Sequence, residues 1–371
     1  MKLVKTKSTI SRCLMALLAL VLAFALAACG GGGSGESSDG GDATETTSDS
    51  SEAQTSSNGD EDVTILRVGH IEAEGSFLHK SALEFEKDVE EKTGGRVDIQ
   101  IYANSELGDE GAVLQSIQMG SMEMCITGTA SLTQFDDRMN AVFLPFLFDS
   151  PESCEAAIKG DFGKLINGWI EEYGFKALAW QYDGARNIAN NKRPIHKLED
   201  VDGLKLRCMN SDIFIEMFRL MGINATPMAY SEIYTAVQQG VVDGNDNPAG
   251  LFVESKFYEV HKYYSLSEHT YGTANAVISL DKYNSLPEDV RGIIDEASKT
   301  FLEDWQINKA RAAEKDYIED INENGCEVNE LDPGEKERFV EVCSPLYQQM
   351  RDKWGDETWK EIETALGREL M

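Results

Sequence analysis

The 371-residue chain is short of histidine and of positive charge: five His, and 34 Lys and Arg against 65 Asp and Glu, for a formal net charge of −31. Such a surface repels phosphate backbones and anionic lipid, so no nucleic acid is expected as a partner. It offers no long-range attraction to a small anion either, and any anion site must be assembled locally from arginines. His70, His79, His196, His261 and His269 include no two at metal-ligand spacing on a helix. G-x-S-x-G, H-E-x-x-H and G-x-x-x-x-G-K-[ST] are all missing, which removes common hydrolase, zinc-protease and nucleotide signatures. No metal, no cofactor and no enzymatic activity are expected. Asp243 and Asp246 can be drawn as an acid–base pair, but such pairs arise freely in so acidic a chain. Cysteine says little: after Cys29 come Cys125, Cys154, Cys208, Cys326 and Cys343, without a C-x-x-C or framework spacing. Buried, reduced thiols are the expectation, although an exported chain could pair two of them.

An apolar run long enough to span a bilayer is also missing. Leu14 to Ala28 is apolar for 15 residues behind Lys2, Lys5, Lys7 and Arg12, where a span needs roughly 20. Residues 1–28 therefore read as an export signal. The run ends Leu26-Ala27-Ala28-Cys29, which resembles the lipobox of bacterial lipoproteins. That resemblance makes Cys29 the lipid-modified first residue of the mature chain, anchored to the outer face of the cell membrane. The plainer alternative is a signal cleaved after Ala28 with Cys29 incidental. Gly30 to Asp62 holds nine acidic residues, no Lys or Arg and almost nothing apolar. Residues 29–62 are thus expected to form a disordered acidic tether, spanning roughly 30 Å if it behaves as a Gly/Ser-rich coil. Gly30, Gly32 and Gly35 match G-x-G-x-x-G by chance, since no strand precedes them.

From Val63 onward the chain patterns as a folded protein. VTILRVG (63–69) alternates like a strand, and Ser76 to Lys92 carries Leu78, Ala82, Phe85 and Val89 at helical spacing before Thr93-Gly94-Gly95. RVDIQIYA (96–103) is a second strand, Leu107 to Met119 a second helix and Met122 to Thr127 a third strand. This β-α-β-α-β order predicts an α/β class with a mostly parallel sheet. EGAVLQSIQMG leading into SMEMCIT is echoed by SEIYTAVQQG leading into VVDGNDN, a hint of two similar lobes. Phe175 to Trp180 and Leu204 to Arg207 read as strands, Ser211 to Met221 as a helix, and Pro287 to Gly325 as a long charged helical stretch.

Positive charge gathers in one window, with Arg186, Lys192, Arg193, Lys197, Lys205 and Arg207 between residues 184 and 212. In open α/β folds ligands bind beyond the carboxyl ends of the strands. Arg207 ends the strand GLKLR, Arg186 follows KALAWQY by a short Asp-Gly-Ala turn, and Asn247 follows VVDGND. Two guanidiniums and an amide suit a carboxylate, since the planar fork of arginine can donate to both oxygens. His70, at the end of the first strand, is placed to see the same ligand. The bland reading is that both arginines pair with surface acids. Trp180 and Tyr182 are expected in the core rather than stacked on a ligand.

Several stretches together carry a stronger resemblance: LRVGH, EKTGGRV, NSELGDEGAVLQSIQMGSMEM, FLPFLF, GLKLRC, GINATPMAYSEIYTAVQQGVVDGNDNP and KFYEVHKYYSLSEH. In this order they resemble the solute-binding proteins of TRAP (tripartite ATP-independent periplasmic) transporters, in the DctP-like, C4-dicarboxylate-binding branch. The resemblance implies a two-lobed periplasmic-binding-protein (venus-flytrap) fold with hinge strands and a long helix crossing both lobes. Residues 63–183 with 273–312 would form lobe I, and 184–272 with 313–371 lobe II. It further implies a monomeric receptor that takes an organic acid, such as a C4-dicarboxylate or sugar acid, to the small and large membrane subunits of the transporter. Uptake would be driven by an ion gradient. Arg207 matches the family's carboxylate clamp, Arg186 a second arginine, and Asn247 the asparagine of a QENP motif that here reads Asn245-Asp246-Asn247-Pro248. His70, Thr127, Thr129, Asn210 and Tyr230 match positions that line the cleft. Gly111 stands where the family often has a large residue or arginine, and Gly128 where some sialic-acid binders have a glutamate. A sensory binding protein for the same ligands and an exported enzyme on this fold are the alternatives.

Overall fold

The computed structural model of the protein describes residues 63–371; the export signal, Cys29 and tether expected from the sequence lie outside them. The strands are β1 (Thr64–Gly69), β2 (Val97–Tyr102), β3 (Met124–Gly128), β4 (Phe175–Asn190), β5 (Lys205–Cys208), β6 (Asn224–Pro227), β7 (Gly244–Pro248), β8 (Tyr263–Ser279) and β9 (Glu327–Glu330). They form one sheet in the order β2-β1-β3-β8-β4-β7-β5-β6, with β9 added beside β8.

That order has the same construction from either end. On one side β1 runs parallel to β2 and β3, and β3 meets β8 antiparallel. On the other side β5 runs parallel to β6 and β7, and β7 meets β4 antiparallel. The sequence echo falls on this symmetry, because helix α2 (Glu110–Gln118) feeds β3 as Ile233–Gln238 feeds β7. The two long strands β4 and β8 join these two ends of the sheet, β4 through β7 and β8 through β3, and pair with each other along most of their length.

The local causes are ordinary. Helix α1 (Phe77–Thr93) starts at Ser76, whose Oγ accepts from the His79 N–H at 3.0 Å, and stops at Gly94 with φ of 64°. Glycine adopts that left-handed conformation without the backbone strain a side chain brings. Leu78, Ala82, Phe85 and Val89 recur at three- and four-residue spacing and are buried against Leu66, Val68, Ile99 and Met124. Burying each large side chain contributes roughly 1.5–3 kcal/mol. On the far side Ile233, Phe252, Phe257, Tyr264 and Ile321 make a separate core.

One feature of β4 differs from the sequence expectation. No turn precedes Arg186; the strand continues through it, with shifts of register against β8 between Tyr182 and Gly184 and between Arg186 and Ile188. Gly184 takes φ of 113°, which lets the strand bulge and carry on. The long C-terminal helical stretch serves the backbone at this irregularity. Helix Glu288–Ala297 passes through a π-helical segment, Ser298–Trp305, into helix Gln306–Glu323. Its side chains pair with β4: Glu303 accepts from Trp180 N at 3.3 Å, Gln306 bonds both N and O of Tyr182 at 3.0 Å, and Glu314 accepts from Ala185 N at 3.1 Å. Buried backbone groups need such partners.

The last helices lean on both sides of the molecule. Tyr347 donates to the Pro145 carbonyl at 3.0 Å, and Lys353 reaches both Asp137 (2.8 Å) and Asp212 (3.3 Å). All five cysteines beyond Cys29 are free and buried.

A candidate carboxylate cleft

A cleft of about 350 Å³ opens where the two halves of the sheet meet. From the β7-β5-β6 side it is lined by Arg207, Asn210, Met228, Tyr230 and Asn247, and Arg186 enters it from β4. The carboxyl-end rule thus brings together five of the eight residues expected to bind.

Arg207 sits in β5 between Thr226 of β6 and Asn245 of β7, and only 4% of it is exposed. Its Nε donates to the Met228 carbonyl at 3.0 Å. Among the described residues no carboxylate comes within ion-pair distance of it. Burial pushes its pKa from 12.5 down to about 10, with Asp246 opposing and Arg186 adding to the fall. Arg186 is different. Its Nε reaches Asp246 Oδ2 at 2.7 Å, its Nη2 the Asp246 carbonyl at 2.6 Å, and its guanidinium lies 5.4 Å from the centre of the Phe214 ring. Asp246 also meets His269 Nε2 at 3.3 Å. Burial alone would raise the Asp246 carboxyl; Arg186 and His269 outweigh it and hold the group well below the usual carboxylate range. The bland reading, that both arginines pair with surface acids, thus describes neither: Arg186 pairs with a fully buried acid and Arg207 with none among the described residues. Asp243 faces Lys192 instead and forms no pair with Asp246.

Asn247, 1% exposed, leaves its Nδ2 without a partner in the wall of the cleft. Its Oδ1 accepts from Arg186 Nη2 at 3.4 Å; buried donors are nearly always satisfied, so an orphan Nδ2 in the same cleft as a guanidinium without a carboxylate partner is a place for an acceptor. Tyr230 and Asn210 line the cleft, the former with its hydroxyl already 2.6 Å from Ser255 Oγ.

His70, Thr127 and Thr129 are not brought to the lining. His70 Nε2 lies 3.0 Å from His79 Nδ1, and burial with the neighbouring His79 lowers its pKa to about 4, so it is neutral at pH 7. Thr129 Oγ1 donates to Asn275 Oδ1 at 2.8 Å. Thr127 is fully buried. Their chain neighbours Ile71, Gly128, Ala130 and Ser131 line the cleft instead. Lys192, Arg193 and Lys197 belong to the outer connection, where Arg193 holds the carbonyls of Asp200 and Asp202. Lys205 is exposed and reaches the Val241 carbonyl at 3.1 Å.

Sequence reasoning missed a group of acids on the opposite wall. Glu72, Asp109, Glu110 and Asp183 all line the cleft. Glu110 accepts from Gly128 N and Ser131 Oγ, both at 2.6 Å. Burial raises Asp183 to about 6 against the pull of Arg186, and raises Glu72 well above its ordinary value. Nothing in their spacing distinguished them from the other acids of the chain.

With this geometry the comparison with known proteins is direct. Residues 68–353 match the family described as bacterial extracellular solute-binding protein, family 7 (DctP). The chain belongs to this family. A solute-binding protein of Verminephrobacter eiseniae is 32% identical over 305 residues, covering 81% of this chain and 89% of that one. The sugar acid binding protein DctPAm of Advenella mimigardefordensis, solved with galactonate, superposes with a TM-score of 0.78 at 29% identity over 82% of this chain and 99% of that one. A TRAP periplasmic solute-binding protein of Chromohalobacter salexigens, with bound D-glucuronate, gives a TM-score of 0.78 at 29% identity over 81% and 99%. The α/β two-lobed fold is thus that of the TRAP solute-binding proteins, a family of receptors and not of enzymes.

Proposed function

We propose that this chain is the extracytoplasmic receptor of a TRAP transporter and that its cleft captures an organic acid by the carboxylate. The observation that carries the reading is Arg207, a buried guanidinium without a carboxylate partner among the described residues, in the same cleft lining as the orphan amide nitrogen of Asn247. Arg207 is the clamp, Asn247 donates a further hydrogen bond, and Arg186, held by Asp246, adds positive potential. Charge-assisted bonds of this kind contribute roughly 1.5–3 kcal/mol each. The lobes close about β4 and β8, and the closed, loaded form is the one handed to the small and large membrane subunits. Cys29 carries the lipid that keeps the receptor at the membrane, and the receptor acts as a monomer. Relatives solved with galactonate and glucuronate support a sugar acid as the cargo class.

The test is thermal unfolding of the purified protein against a panel of organic acids and their methyl esters. An acid at a hundred times its Kd stabilises by about 2.7 kcal/mol, a rise of a few degrees for a chain of this size. The acid should raise the midpoint and its ester should not; equal shifts from both would reject the clamp. Changing Cys29 to Ser should release the protein from the membrane fraction.

A further inference from the structure

The cleft is electrically lopsided. Arg207 and Asn247 occupy the β7-β5-β6 side, whereas Glu72, Asp109 and Glu110 come from the β1–β3 side, and Arg186 and Asp183 both come from β4. No lysine or arginine lies among the residues that line the acidic side. Its remaining polar groups are neutral: Ser105, Ser131 and Gln134. Position 111, at the start of α2, is a glycine that adds no side chain there. Glu110 is fixed in place by Gly128 N and Ser131 Oγ, and its carboxylate still borders the cavity.

We propose, resting on the receptor reading above, that the far end of this cleft is built to accept hydrogen bonds, so that the cargo is a polyhydroxylated monocarboxylate and not a dicarboxylate. One carboxylate of the ligand satisfies Arg207 and the Asn247 amide. Its hydroxyls then donate to Glu110 and Asp183, which as carboxylates can only accept, and find a further polar partner in Glu72. A second carboxylate in the same place would face two or more like charges with no lysine or arginine on that wall to pair with it, and desolvated like charges disfavour each other strongly. A plain fatty acid would instead leave those carboxylates dehydrated and without donors, which costs binding for a different reason.

Matched acids that differ only at the far end test this. Gluconate against glucarate, galactonate against galactarate, and erythronate against tartrate each exchange a primary alcohol for a carboxylate. Calorimetric titrations at pH 8 keep Asp183, pushed up to about 6, ionised. In the pair that binds best, the aldonate should bind at least tenfold more tightly than the aldarate, and hexanoate should bind at least tenfold more weakly than the aldonate. Glu110→Gln, which can still accept from Gly128 N, should shrink the aldonate-to-aldarate ratio severalfold without removing aldonate binding. An aldarate or succinate that equals the best aldonate, hexanoate that equals it, or a ratio untouched by both Glu110→Gln and Glu72→Gln would overturn the proposal while leaving the carboxylate receptor intact. Failure of every acid to bind would overturn the receptor reading itself and this inference with it.

Discussion

Replacing Arg207 with methionine should stabilise the empty protein while abolishing its affinity for acids. The guanidinium is 4% exposed and bonds one carbonyl, that of Met228, through Nε. The fall of its pKa from 12.5 to about 10 corresponds to about 3 kcal/mol spent on holding the charge out of water. Losing the Met228 bond gives back about 1 kcal/mol of that, and unbranched methionine fills much of the same space. The net expectation is a gain of about 1–2 kcal/mol, or a midpoint a few degrees higher in thermal unfolding without ligand. With the preferred acid present the order reverses, because only the wild type is stabilised by binding. Arg207→Lys keeps a charge but loses the fork, and its Kd should rise at least tenfold. If Arg207→Met melts several degrees below wild type without ligand, the charge is already compensated in the empty protein and the argument for a clamp fails.

Arg186→Met should behave in the opposite way, since it strands the fully buried Asp246 carboxylate; breaking a buried pair costs roughly 3–5 kcal/mol, visible as a lower denaturation midpoint, and an unchanged midpoint would contradict the pairing. A Cβ at Gly244 would lie 1.9 Å from the Ala189 carbonyl oxygen across the β4–β7 ladder, so Gly244→Ala should cost several kcal/mol or prevent soluble expression, and wild-type stability in that variant would contradict the register. Asp183 and Glu254 have folded-state pKa values raised by burial to about 6 and about 7, and burial raises Glu72 well above its ordinary value. Lys80 and Tyr317 face Glu254 and pull its value back only in part. An acid raised in the folded state contributes stability below its unfolded pKa and loses it as pH climbs through the folded one. The unfolding midpoint should therefore fall between about pH 4.5 and 7, and Glu254→Gln should flatten that fall; a midpoint rising across this window in both proteins would refute the burial of these carboxyls.

Much of this was legible from residue spacing. Helix α1 and its neighbours β1 and β2 sit within a residue or two of their expected bounds because caps and apolar periodicity agree there, as with Ser76, Leu78, Phe85 and Gly94. The strand β8 was invisible for the converse reason. Its buried residues include Ser265, Ser267, His269, Thr270, Thr273 and Asn275, polar groups bonded to other side chains or to the strands on either side, so neither alternation nor an apolar run marks it. The bulge that keeps β4 continuous through Gly184 reads in sequence as a turn for the same reason that it works as a bulge, glycine at a positive φ. At the site, Arg207 and Asn247 could be placed because strand ends are visible in sequence. The acids Glu72, Glu110 and Asp183 could not, since only the fold distinguishes them from the rest of the 65 Asp and Glu. His70, just past the end of β1, was drawn toward the ligand by position, but its Nε2 meets His79 instead and its Nδ1 is buried without a partner.

Whether Arg207 binds one carboxylate of the cargo is decided by a crystal structure of the protein with its tightest-binding acid. A ligand carboxylate is expected within hydrogen-bonding distance, about 2.7–3.1 Å, of a terminal nitrogen of Arg207 and of the Asn247 side-chain amide nitrogen, with Arg186 still on Asp246. A ligand carboxylate seated away from Arg207, with that guanidinium touching no part of it, would contradict the account.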